Sequence, residues 1–102
     1  MRRAEHPAKY HDRLLVVFAR LLNKWEAKSV LDPMAGTCKI AQVREHGWNG
    51  RIVCNEIEPE WALQGEGLVE IHIGDAAHMD WAQDNEFDAI VTSPTYGNRM
   101  AD

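Results

Sequence analysis

The sequence predicts an α/β fold built on a parallel sheet with right-handed crossovers, and two observations carry that expectation. Short apolar runs alternate with helical patterns along the chain, which is the arrangement that parallel strands joined by helices require. The 102 residues, 45% apolar and 26% charged, are of ordinary globular usage and bound the chain to a single domain over 1–102.

Each element follows from its local pattern. Leu14, Leu15, Phe18, Leu21, Leu22 and Trp25 recur at helical spacing with Arg13, Arg20, Asn23 and Lys24 opposite, so this stretch is expected to be an amphipathic helix lying on the sheet. Ser29 to Leu31 is a short strand stopped by Asp32-Pro33, because proline leaves the ladder without a donor and restricts the residue before it. Thr37 to Glu45 reads as a helix closed by His46-Gly47. Arg51 to Asn55 alternates as a second strand, followed by acids and a helix start at Pro59. Leu68 to Ile73 gives a third strand ended by Gly74-Asp75, Ala76 to Trp81 a short helical or irregular turn, and Phe87 to Thr92 a fourth strand. There is no internal repeat, low-complexity tract or linker.

Composition removes several classes of function. No apolar run approaches the roughly 20 residues of a membrane span, and the start, Met1 to Pro7, has a basic pair but no apolar stretch after it, so a cytoplasmic protein is expected. Cys38 and Cys54 form no C-x-x-C pair, and His6, His11, His46, His72 and His78 are scattered, which predicts reduced thiols and no metal site. The net charge of −5 is uneven: residues 1–31 carry seven Lys/Arg against three Asp/Glu, and residues 32–102 four against thirteen. Nucleic-acid binding through counterion release needs clustered cations, so any such surface must come chiefly from elsewhere.

Two stretches carry chemistry. In the first, Asp32-Pro33-Met34-Ala35-Gly36-Thr37 lies where a strand passes to a helix, and small residues there let backbone approach a ligand beside free amides. The second strand ends in Asn55-Glu56-Ile57-Glu58, where Glu56 can accept both hydroxyls of a ribose. Gly74-Asp75-Ala76, at the third strand end, offers a carboxylate and backbone to an adenine amine. A D-P-x-x-G turn alone serves equally well as a plain connection; the ordered set of three strand ends points to a nucleoside-containing cofactor. Neither G-x-G-x-x-G nor G-K-[ST] is present, which disfavours a nicotinamide cofactor and ATP.

The second stretch is Ser93-Pro94-Thr95-Tyr96-Gly97 after the fourth strand. Exocyclic base amines are weak nucleophiles and must be held in line with an electrophilic methyl. The Ser93 hydroxyl and the Pro94 carbonyl can accept hydrogen bonds from such an amine, and Tyr96 can stack on the base. By itself the stretch is also an ordinary turn; its place beside the cradle favours the chemical reading.

With these motifs the chain resembles the amino-group DNA methyltransferases, which move a methyl from S-adenosylmethionine to N4 of cytosine or N6 of adenine. His6 to Tyr10 is similar to the segment ahead of the family's glycine turn, Asp32 to Gly36 to its D-P-F-x-G motif, Glu56 to its ribose-binding acid, Gly74 to Ala76 to its adenine-contacting turn, and Thr92 to Tyr96 to its T-S-P-P-Y motif. The resemblance implies a Rossmann-like methyltransferase fold with strand order 3-2-1-4 and S-adenosylmethionine held by Asp32, Pro33, Ala35, Gly36, Thr37, Glu56, Ile57, Asp75 and Ala76. It further implies Ser93, Pro94 and Tyr96 as catalytic residues and duplex DNA with a flipped base as partner. Serine first in the catalytic motif favours cytosine N4 over adenine N6. The residues after Tyr96 are similar to phage and prophage members, which implies DNA modification as the setting. The motif order is that of the gamma arrangement, with the target-recognition region expected beyond residue 102.

Three features depart from the family pattern. Cys38 stands in place of a second glycine, Thr95 replaces the second proline, and the chain ends six residues after Tyr96. The last predicts an N-terminal portion whose fourth strand is an apolar sheet edge, open to self-association or to a partner chain. RNA or protein amide methylation, a non-catalytic cofactor-binding or assembly fragment, and a plain α/β fragment with no ligand are the rival expectations.

Overall fold

The computed structural model describes residues 12–92. Four parallel strands form one sheet in the order β3-β2-β1-β4: β1 is Ser29–Asp32, β2 Arg51–Glu56, β3 Glu70–Ile73 and β4 Ala89–Ile90. Helix α1 spans Asp12–Lys24, with Asp12 in its first turn and Lys24 in its last, both favourable to the helix dipole. A 3-10 helix, Lys39–His46, joins β1 to β2, and α2, Pro59–Ala62, starts the connection from β2 to β3.

Residues paired in parallel share a face, so the register divides the sheet. Val30, Ile52, Cys54 and Ala89 point to one side. There Leu15, Ala19 and Leu22 of α1 and Ile40 and Val43 of the 3-10 helix close over them, and Trp48 completes the cluster. Trp48 is anchored by its indole N–H donating to the Ala27 carbonyl at 2.9 Å. On the other side, Val53 lies between Arg51 and Asn55 along β2. Asn55 accepts from the Trp81 indole there, and Phe87, edge-on to Trp81, lies under the Arg51 guanidinium. Val53 is fully buried.

The expected elements are present, with shifted limits that have physical causes. The helix expected over Thr37 to Glu45 begins at Lys39, because Gly36 and Cys38 take φ of 60° and 66°, a left-handed conformation that no helix continues through. Its stop at Gly47, φ 94°, is as expected. Trp25, placed by spacing on the apolar helix face, is instead 63% exposed, since α1 ends at Lys24 and Glu26 turns the chain with φ 55°. The third strand starts at Glu70, because Gly65 to Leu68 form a turn closed by the Leu68 N–H on the Gly65 carbonyl. β4 keeps two residues, Phe87 having left the ladder to meet Trp81. Among the described residues no helix is long and apolar enough to cross a membrane, and no three His, Cys, Asp or Glu are grouped to hold a metal.

Candidate functional site

Because the strands are parallel, the residues that follow them collect at one edge of the sheet. Asp32 ends β1 and Pro33, Ala35, Gly36 and Thr37 follow it, Glu56 ends β2 and Ile57 follows it, and Asp75 and Ala76 follow β3. All nine expected cofactor residues therefore share the C-terminal edge, where open α/β sheets place ligands. Ser93, Pro94 and Tyr96, with the His6 to Tyr10 segment, lie outside the described residues.

The turn after β1 is held by its own acid. Asp32, fully buried, accepts the Met34 N–H at 3.2 Å, which turns the chain out of the strand where Pro33 has already ended the ladder. The Ala35 N–H donates to the Asn55 carbonyl at 2.9 Å and folds the turn back over β2. Cys38, at the far side, donates its thiol to the Ala62 carbonyl and is hydrogen-bonded to Cys54, the β2 partner of Asp32. The bond to Cys38, and then burial, push the Cys54 thiol up from its ordinary range.

Glu56 is the centre of the edge. Its side chain is 1% exposed. One carboxylate oxygen accepts the Gly36 N–H at 2.7 Å and the other the Glu58 N–H at 3.1 Å. The acid expected to meet a ribose is thus already closed under the glycine turn, and a diol reaches it only if that turn moves. Asp75 is exposed and uses one oxygen to accept the Ala77 N–H at 2.9 Å, capping the short helix Ala76–His78. Ile57 stands half in solvent beside Glu56 and presents an apolar surface suited to one face of a planar ring.

Two residues that the sequence reading did not single out complete this edge. Asn55, 1% exposed, donates its amide to the Pro33 and Gly74 carbonyls at 3.1 and 3.0 Å and accepts from the Trp81 indole at 3.3 Å. Trp81 stacks on His72, ring centroids 3.7 Å apart and 4° from parallel. The available signal was a carboxamide continuing an apolar strand, which burial makes costly unless it is bonded. A groove of about 400 Å3 lined by Arg44, Arg51, Ile52, Gly67 and Glu70 lies at the opposite ends of β2 and β3, and both its arginines are already bonded. It is remote from the cradle.

The edge thus gathers a buried acid, an apolar neighbour and an exposed acid on the adjoining loop, while the amides of Met34, Ala35, Gly36 and Cys38 already donate within the protein. Comparison with protein-family models, curated proteins and solved structures finds no match to this chain.

Proposed function

We propose that this chain is the cofactor-binding part of an S-adenosylmethionine-dependent DNA methyltransferase with a Rossmann-like fold, acting on an exocyclic base amine, N4 of cytosine ahead of N6 of adenine. The observation that carries the reading is the convergence of Asp32-Pro33-x-Ala35-Gly36, Glu56 and Asp75 on one edge of a 3-2-1-4 parallel sheet. When bound, the cofactor supplies a methyl on a sulfonium, an electrophile that needs no covalent enzyme intermediate.

In this reading Glu56 takes the ribose hydroxyls, Ile57 and Ala76 flank the base, and Asp75 accepts from its amine. Asp32 orders the glycine turn from within. Ser93 and Pro94 accept hydrogen bonds from the target amine while Tyr96 stacks on the flipped base. Ser93 and Pro94 would thereby hold the amine in line with the methyl that a bound cofactor would supply. The acidic balance of residues 32–102 leaves the phosphate-binding surface to a partner or to further chain, with the exposed β4 edge, where Ile90 is 65% exposed, as the place to dock it.

One observation favours a second reading. Glu56 under the Gly36 amide is also what a cradle without a ligand would look like, as in a non-catalytic assembly fragment. Calorimetric titration of S-adenosylhomocysteine into the protein and into Glu56→Ala separates the two. Binding that is lost in a folded variant supports the cofactor site; no binding by the folded wild type refutes it.

A further inference from the structure

The turn after β1 and the turn after β3 must keep a fixed separation if one ligand is to touch both, and the β2 backbone ties each only once, the Ala35 N–H to the Asn55 carbonyl at 2.9 Å and the Gly74 N–H to the Glu56 carbonyl at 3.0 Å. β2 lies between them, and its last two side chains point to opposite faces. Glu56 reaches Gly36 on one side. Asn55, on the other, makes two donations from a single nitrogen, to Pro33 and to Gly74. These carbonyls immediately follow Asp32 and immediately precede Asp75. A third bond, from Trp81 to the amide oxygen, adds the segment leading to β4, which the His72 stack and the Phe87 edge contact hold against the sheet.

We propose that Asn55 is the positioning residue of this edge, one planar amide that sets the spacing between the β1 and β3 turns. Its relevance to a cofactor rests on the reading proposed above; its mechanical role does not. The orientation is fixed by chemistry, because the reversed amide would set its oxygen against two carbonyls and its N–H2 against an indole N–H. Few side chains can replace it. Serine has one donor, glutamine is a methylene too long, leucine removes the partner of two part-buried carbonyls and an indole N–H, and aspartate turns an oxygen toward two others.

Amide hydrogen exchange on the whole chain, wild type against Asn55→Asp and Asn55→Ala, tests this without a ligand. Exchange is expected to quicken about tenfold or more at both turns together, residues 34–37 and 74–77, while the α1 and Trp48 amides keep their protection. A uniform rise across the chain would mark a merely structural residue and overturn the proposal, as would loosening of one turn or of neither. S-adenosylhomocysteine titration adds a second readout: a folded variant should bind about tenfold or more weakly, and wild-type affinity with loosened turns would overturn the positioning role. If the wild type itself does not bind, the cofactor reading fails and the exchange data alone decide on Asn55. Should neither variant fold, the Asn55 side-chain amide protons of the wild type decide: slow exchange is expected, and exchange at the rate of a solvated amide overturns the proposal.

Discussion

Replacing Glu56 with glutamine isolates its charge from its shape. The carboxylate receives two backbone N–H groups, from Gly36 at 2.7 Å and Glu58 at 3.1 Å, in a side chain only 1% exposed. A bond to a charged acceptor contributes about 1.5–3 kcal/mol, and one to a neutral acceptor about 0.5–1.5. Glutamine keeps one of the two bonds at neutral strength and faces its N–H2 to the other amide. Water can reach the Glu58 amide, next to an exposed side chain, and removing a buried charge relieves desolvation; both lower the cost. The net is a destabilisation of about 1–3 kcal/mol. For a domain of this size each 1 kcal/mol lowers the midpoint by roughly 4–8 °C, so a fall of at least about 4 °C is expected. Thermal unfolding followed by far-UV circular dichroism, with exchange at the Gly36 amide measured alongside, checks it. A midpoint equal to that of the wild type, with Gly36 equally protected, would refute the claim that the carboxylate charge closes the glycine turn.

The remaining expectations concern other parts of the chain. A Cβ on Gly65 would stand 2.7 Å from both Cβ and Sγ of Cys38, so Gly65→Ala should destabilise by about 1–3 kcal/mol in the wild type and by much less in Cys38→Gly; equal costs in a denaturation cycle would remove the contact as cause. Arg51 holds the Glu70 carboxyl below its ordinary range, so the pair stabilises the fold above that range and the contribution is lost as pH falls through the lowered value. Both side chains are about half exposed, which keeps the effect under about 1 kcal/mol, readable as a smaller acid loss of stability in Glu70→Gln than in the wild type. Cys38 and Cys54 are buried and hydrogen-bonded to each other, so a thiol reagent should label them only as fast as the chain opens; rapid labelling of the native protein would contradict their burial. If transfer proceeds by direct attack of the amine as proposed, DNA carrying 5-fluorocytosine should yield no covalent adduct with the active protein.

Alternation of apolar runs and helical patterns was enough to read the order and type of the elements, because each strand is short and bounded by residues that cannot extend it. Asp32-Pro33 and Gly47 behave as their backbone chemistry requires. The limits that moved did so for tertiary reasons. Nothing local marks Cys38 as left-handed, since cysteine enters that region only when its side chain is rewarded, here by burial against Ala62 and Gly65. Phe87 fits a strand pattern, yet its ring meets Trp81 nearby in the chain and Arg51 far from it, outside the ladder. At the candidate site, residue type located the acids and small residues at the strand ends. It did not reveal that Glu56 is closed under Gly36 or that Asn55 joins three segments, because both depend on the rotation of β2 relative to two other strands.

That closure bears on how the edge would work. A carboxylate and a backbone amide at 2.7 Å within a buried setting make a strong contact, stronger than the same pair in water. A ligand bringing two hydroxyls replaces it with bonds of similar kind, so the exchange of partners at Glu56 yields little affinity by itself. Net binding must then come from the other contacts, the apolar face at Ile57 and the Asp75 loop, since the amides of Met34, Ala35, Gly36 and Cys38 already donate within the protein. Those groups sit on different strands, and their contributions add only if their separation is already set before the ligand arrives. Asn55 meets that requirement from the face opposite Glu56, tying the roots of the two turns at Pro33 and Gly74. The division of labour between adjacent side chains of one strand follows from the two-residue period of the β-conformation: Glu56 holds the glycine turn on one face and Asn55 ties its root on the other.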